Sequence, residues 1–306
     1  METNPDTVPS PQAEQHGIKN KGTAYWAQRI TIGVGGAFAC LALIYSGPPL
    51  ALALFLTCLA TWGVHEFYRA VRRQGSEPTD ILGIIACILF QASALYSSKP
   101  IFSHYLPALL AILMIAALFV ELVKAGGHPI PNLGTTLLGA IYVGWLMSFF
   151  IHLRLMDHHT VIMKSSIPDY HVGPWLVILV CTVTWLGDTA ALVTGYFVGR
   201  TKLAPKISPA KTWEGAIGGA LFGTFVGTGL GLWLGFDLVP ALTLSILMTV
   251  FGQVGDLCES AIKRNLGLKD FGTAFANHGG VLDRIDSLLF AAPVAFYFIQ
   301  VFLAPR

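Results

Sequence analysis

The sequence predicts an all-α, polytopic integral membrane protein with about nine transmembrane helices, and three observations carry that prediction. Hydrophobic residues fill 54% of the 306 positions and charged residues only 12%, about half the charge of a soluble domain. The apolar residues lie in long runs, such as 105–123, 172–186 and 285–303, each close to the roughly 20 residues that cross a bilayer as a helix. The positive charges divide unevenly between the loops. With the N-terminus cytoplasmic, 15 of the 19 Lys and Arg fall on that side, leaving Lys99, Arg154, Lys164 and Arg306 opposite, the asymmetry of the positive-inside rule.

Residues 1–29 are polar, hold Pro5, Pro9 and Pro11, and predict a disordered cytoplasmic tail. Nine spans follow, at 30–46, 49–68, 80–97, 105–123, 133–153, 172–195, 213–236, 238–257 and 285–303. The first five, in an N-terminal scaffold over 30–171, carry Glu66 and Glu121 near cytoplasmic ends, where a side chain reaches water cheaply. His65 beside Glu66 is too weak a signal to mark a site. The outer loop 152–171 holds His152, His158, His159, His171, Asp157 and Asp169, but without metal-ligand spacing, and reads as a solvated loop. The five cysteines form no CxxC pair and read as small apolar packers. A net charge of +2 with no basic stripe excludes a nucleic-acid partner.

Over 172–306 the character changes, and this region is expected to be catalytic. Asp188 lies inside the sixth span, and Asp256 and Glu259 close the eighth. A carboxylate buried in a membrane costs about 2.5–3.5 kcal/mol, so a polar cavity or a cation is called for. In the seventh span Gly215, Gly219, Gly223, Gly227, Gly231 and Gly235 recur every fourth residue. Such a bare face lets another backbone approach closely, within the protomer or at a homodimer seam.

Three clusters carry the chemistry. In the first, Ser208 suits a helix N-cap and Pro209 the first helical position. Lys211, followed by Thr212 and Glu214, would then stand at a helix N-terminus, a ready anion site. In the second, Asp256, Glu259 and Lys263 share one helical face by their spacing, with Arg264 next in sequence. In the third, His278-Gly279-Gly280 precedes a helix start bearing Asp283, Arg284 and Asp286, and two carboxylates so close repel unless a cation or proton lies between them. Carboxylates from separate helices beside Lys and Arg are what Mg²⁺-dependent phosphoryl chemistry demands. The absence of a Walker A sequence argues against a P-loop NTPase. The residues alone indicate a membrane enzyme acting on a polyphosphate.

At these clusters the sequence resembles the phosphatidate cytidylyltransferases, also called CDP-diacylglycerol synthases. The run from Ser260 through Lys263-Arg264 and Lys269-Asp270 to His278-Gly279-Gly280 and Asp283-Arg284-Ile285-Asp286 is similar to that family's signature in residue types and spacing. Lys202–Gly215 and Asp188-Thr189-Ala190-Ala191 resemble two further motifs, and together the three cover roughly 185–290. The chain differs from the usual pattern at Leu192, Tyr196, Ala210 and Ala276-Asn277. The resemblance implies transfer of a cytidylyl group from CTP to phosphatidate in the lipid bilayer, giving CDP-diacylglycerol and pyrophosphate, with Mg²⁺ as cofactor and room for a second cation. It implies Asp256 and Asp283 as principal metal ligands, with Asp286 and Asp188 in support. Lys211, with Ser208, Thr212 and Glu214 around it, falls on the CTP phosphates. Lys263, Arg264, Lys269 and Arg284 fall on phosphatidate or pyrophosphate, and His278-Gly279-Gly280 forms a turn over the nucleotide. Two other functions compete: a CTP-dependent kinase of a membrane isoprenoid alcohol, which releases CDP, and a cation-coupled transporter. Transporters place their charges near the midplane, often in repeated halves, whereas these gather towards one face, cytoplasmic in the predicted orientation in a cell membrane.

Overall fold

The computed structural model describes residues 35–36, 38–96, 105–124, 128–164, 167–272 and 279–304; the expected tail over 1–29, the start of the first expected span and His278 lie outside the described residues. The chain divides into two units, Met1–Leu43 and Ile44–Arg306. In the first, residues 38–43 are helical.

The second unit is built from eight helices and one small hairpin. In chain order these are α1 (Pro49–Arg72), α2 (Asp80–Leu95), α3 (Tyr105–Lys124), α4 (Pro129–Arg154), α5 (Asp169–Val198), strands β1 (Lys202–Ala204) and β2 (Ser208–Thr212), α6 (Trp213–Trp233), α7 (Leu238–Asn265) and α8 (Leu282–Leu303). All but α2 are long and apolar enough to cross a membrane, so seven of the nine expected spans meet that criterion among the described residues. The span expected at 80–97 is the shorter apolar helix α2. Outward faces are apolar, with Ile112, Ile115 and Phe119 on α3 and Leu221 and Phe225 on α6 exposed, as lipid contact requires.

Hydrogen bonds between buried polar groups tie the N-terminal helices together. Tyr68 donates its hydroxyl to the Thr136 carbonyl at 2.6 Å, and Asn132 joins α4 to α3 through Glu121 at 3.1 Å. Midway along, α4 passes through a π-helical stretch, Ala140–Trp145. Wider turns of this kind disturb the regular ladder, and the Gly144 carbonyl accepts from Gln91 at 2.9 Å. In the loop between α4 and α5 Asp157 accepts from the His159 and Thr160 amides, each at 3.0 Å, and His158 pairs with the Ile167 carbonyl. These are the contacts of a loop holding its own turns.

The C-terminal helices pack in sequence, α5 on α6, α6 on α7 and α7 on α8, and α8 returns against α4 and α1. The glycine stripe explains the tightness of this stack. A Cβ at Gly219 would meet Ala191 and the Gly187 carbonyl, at Gly223 Thr249, and at Gly227 Ser245 and Val183. The bare face of α6 is therefore filled by α5 and α7 of the same protomer. Gly235 lies beyond the helix in the left-handed region, with φ +91°, as a C-terminal cap does.

Candidate active site

The hairpin corrects the expectation of a helix starting at Ser208. Ser208–Thr212 forms a strand that pairs antiparallel with Lys202–Ala204. A two-stranded ribbon has only edge strands, where proline is tolerated, so Pro209 fits there as well as in a first helical turn. The helix begins one step after Thr212, whose Oγ1 accepts from the Gly215 amide at 3.1 Å. Lys211 thus precedes the cap on an extended backbone. Glu214, in the first turn of α6, accepts from the Arg200 and Thr201 amides at 3.1 Å and so ties the foot of the hairpin to the helix. Arg264 on α7 holds the other end, donating to the Ile207 carbonyl at 3.0 Å and to the Leu268 carbonyl at 3.2 Å.

Held in this way, the hairpin brings Lys211 to α7, where its Nζ lies 2.5 Å from Asp256 Oδ2. Lys211 Nζ makes this ion pair and no hydrogen bond to another described residue. Asp256 stands with Asp188 of α5 and Asp286 of α8, close enough for the three charges to act on one another. Ser287 steadies two of them, donating its hydroxyl to Asp188 at 3.1 Å and its amide to Asp286 at 2.7 Å. Three carboxylates from three helices with one ammonium leave an excess of negative charge, and hard oxygen donors of that kind suit a divalent cation. Among the described residues no three such side chains already converge as a metal-ligand set.

A second group adjoins the first. Lys263 Nζ donates to Glu259 Oε1 at 2.8 Å and to Asp283 Oδ1 at 2.9 Å. Glu259 is fully buried, and its Oε2 has no hydrogen-bond partner among the described residues. Asp283 turns its other oxygen to the amides of Gly280, at 2.7 Å, and Phe271, at 3.0 Å. It therefore pins both arms of the loop preceding α8. Asp256 and Asp283, expected to converge on one ion, are thus held by different lysines, and it is Asp286, nearly one turn further along α8, that faces Asp256 and Asp188. Lys269 and Arg284 are exposed near the same loop, at the end of α7 and the start of α8, and Ser208 opens β2.

Sequence reasoning passed over Glu66. Placed by pattern in the scaffold, it is 5% exposed and accepts from the Leu282 amide at 3.1 Å, in the first turn of α8. The local signal is only a carboxylate in an apolar helix, because the partner lies more than 200 positions away in sequence.

Comparison with known proteins gives the site a context. A model of the cytidylyltransferase family matches residues 27–302. The chain is similar to a phosphatidate cytidylyltransferase of Synechocystis, 31% identical over 290 residues that cover 89% of this chain and 94% of the relative. It is similar to one of Bacillus subtilis, 31% identical over 279 residues covering 90% and 98%. A chloroplastic phosphatidate cytidylyltransferase of Arabidopsis thaliana is 30% identical over 304 residues, covering 92% and 74%.

Proposed function

The chain belongs to the cytidylyltransferase family, and from that premise we propose that it transfers a cytidylyl group from CTP to phosphatidate, forming CDP-diacylglycerol and pyrophosphate. The observation that carries the reading is its similarity to phosphatidate cytidylyltransferases over nearly the whole chain. The meeting of Lys211 with carboxylates of three helices supports it. A phosphate oxygen of phosphatidate attacks the α-phosphorus of CTP, the bond to the bridging oxygen of the β-phosphate breaks, and pyrophosphate leaves with that oxygen. The attacking group is a phosphate monoester whose second pKa is about 6, so near neutral pH it is largely a dianion and needs no strong base. What the protein must supply is positioning and charge neutralisation.

Lys211, held by the hairpin and paired with Asp256, is assigned to the CTP phosphates. Lys263, Lys269 and Arg284 are assigned to the phosphatidate headgroup and the departing pyrophosphate, while Arg264 and Glu214 keep the hairpin in place. Asp188, Asp256 and Asp286 are the residues that would hold Mg²⁺, which when bound supplies Lewis-acid neutralisation of polyphosphate charge, while Asp283 holds the loop before α8 and Lys263. The site faces the cytoplasm of a cell membrane in this reading, supported by the 15 of 19 positive residues expected on that side.

The test is the identity of the products. Purified protein given CTP and phosphatidate is expected to release pyrophosphate and form CDP-lipid. Release of CDP with an isoprenoid alcohol, and no product with phosphatidate, would overturn the reading in favour of a lipid kinase.

A further inference from the structure

We infer that Glu66 is a positioning residue for this transfer: from α1 it holds the Gly279-Gly280 turn and the start of α8, and through them Asp283. The inference rests on the function proposed above and adds a residue outside the three clusters. Helix α8 opens without a cap of its own, since its N-cap residue, Val281, makes no side-chain cap hydrogen bond. The first amides of a helix have no intrahelical acceptor and need one from elsewhere. Glu66 supplies it from another helix, accepting from the Leu282 amide at 3.1 Å. A negative charge in that place also complements the helix dipole.

The glycines record the same contact. Gly279 adopts φ +82°, a left-handed conformation that explains its identity. Gly280 does not share that conformation, so the reason for glycine there is space, and the atoms a Cβ would strike are those of the Glu66 carboxylate. The same carboxylate stands where a Cβ of Gly272 would be. Gly272 and Gly280 lie on opposite arms of the loop whose Phe271 and Gly280 amides bind Asp283. Glu66 thus closes the loop from one side while Asp283 ties it from the other, and Asp283 holds Lys263 in turn.

The experiment uses the purified full-length enzyme with CTP and phosphatidate, and variants Glu66→Ala, Glu66→Gln, Glu66→Asp, Gly280→Ala and the double variant Glu66→Ala/Gly280→Ala. Glu66→Ala is expected to lower kcat about 10–100-fold, the usual cost of losing a supporting contact, with little change in KM for CTP or in thermal midpoint. Glu66→Gln keeps an acceptor of the same reach and is expected to recover most of that loss, whereas Glu66→Asp, one methylene short, is not. Gly280→Ala is expected to harm the wild type yet add nothing once the carboxylate is gone. Wild-type kcat in folded Glu66→Ala, or losses that multiply in the double variant, would overturn the inference. Should Glu66→Ala not fold, wild-type kcat in Glu66→Asp would overturn it equally. A wild type that forms no CDP-lipid overturns the proposed function itself, a failure distinguishable because it precedes any variant.

Discussion

Replacing Lys263 by Met should be the most damaging single change near the site that leaves the helices unaltered. Its Nζ lies between Glu259 Oε1 and Asp283 Oδ1, and the three side chains are 12%, 0% and 5% exposed. Removing one partner of a buried pair costs about 3–5 kcal/mol, because the other charge stays buried without compensation. Here two carboxylates lose the same cation, which places the expected loss at the upper end of that range. At about 1.4 kcal/mol per factor of ten, the ratio of folded to unfolded protein falls by roughly several thousandfold. Reversible unfolding in mixed micelles, titrated with SDS and followed by tryptophan fluorescence, reads this directly. The double variant Lys263→Met/Glu259→Gln removes the fully buried charge as well and should regain about 1–3 kcal/mol relative to Lys263→Met, the usual coupling between residues in contact. A Lys263→Met protein as stable as the wild type, or effects that simply add in the double variant, would show that Lys263 does not neutralise the two buried carboxylates.

Three further outcomes follow from the same contacts. Gly279→Ala forces a side chain into φ +82° with its Cβ 3.0 Å from Asp283 Oδ2, costing about 1–2 kcal/mol. Turnover should fall accordingly, and less in Gly279→Asn, since asparagine tolerates that conformation. Thr212→Val removes the oxygen that caps α6 and should lower stability in the SDS titration by about 1 kcal/mol, whereas Thr212→Ser should not. In α6, Gly219→Leu drives a side chain into the α5 backbone and should cost about 1–3 kcal/mol or more. Gly229→Leu, whose Cβ meets nothing within 4 Å, should be close to neutral.

The sequence made some of this plain and concealed the rest, for physical reasons that differ by residue. Apolar runs are long and uninterrupted, so spans such as 105–123 and 285–303 coincide with α3 and α8 to within a few residues. The glycine stripe was legible because a four-residue repeat marks one face of a helix; the choice between an internal contact and a dimer seam needed the positions of Ala191, Ser245 and Thr249. Ser208-Pro209 misled because the same two residues suit a helix start and an edge strand. What decided between them was Thr212, a better-placed cap, and Glu214, which reaches back to Arg200 and Thr201. Spacing along α7 put Asp256, Glu259 and Lys263 on one face correctly, yet could not show that Asp256 pairs with Lys211 of the hairpin while Lys263 turns to Asp283. Glu66 was hidden most thoroughly, because its meaning lies in the amide of Leu282, and periodicity within α1 carries no record of that contact.

The most direct test is a titration of turnover with Mg²⁺ for the wild type and Asp256→Asn, following pyrophosphate and CDP-diacylglycerol together. Equal amounts of both products are expected, with dependence on the cation and a loss of about a hundredfold or more in Asp256→Asn while the protein remains folded. Near-normal turnover in Asp256→Asn, or pyrophosphate formed without CDP-lipid, would contradict the proposed transfer and its metal site.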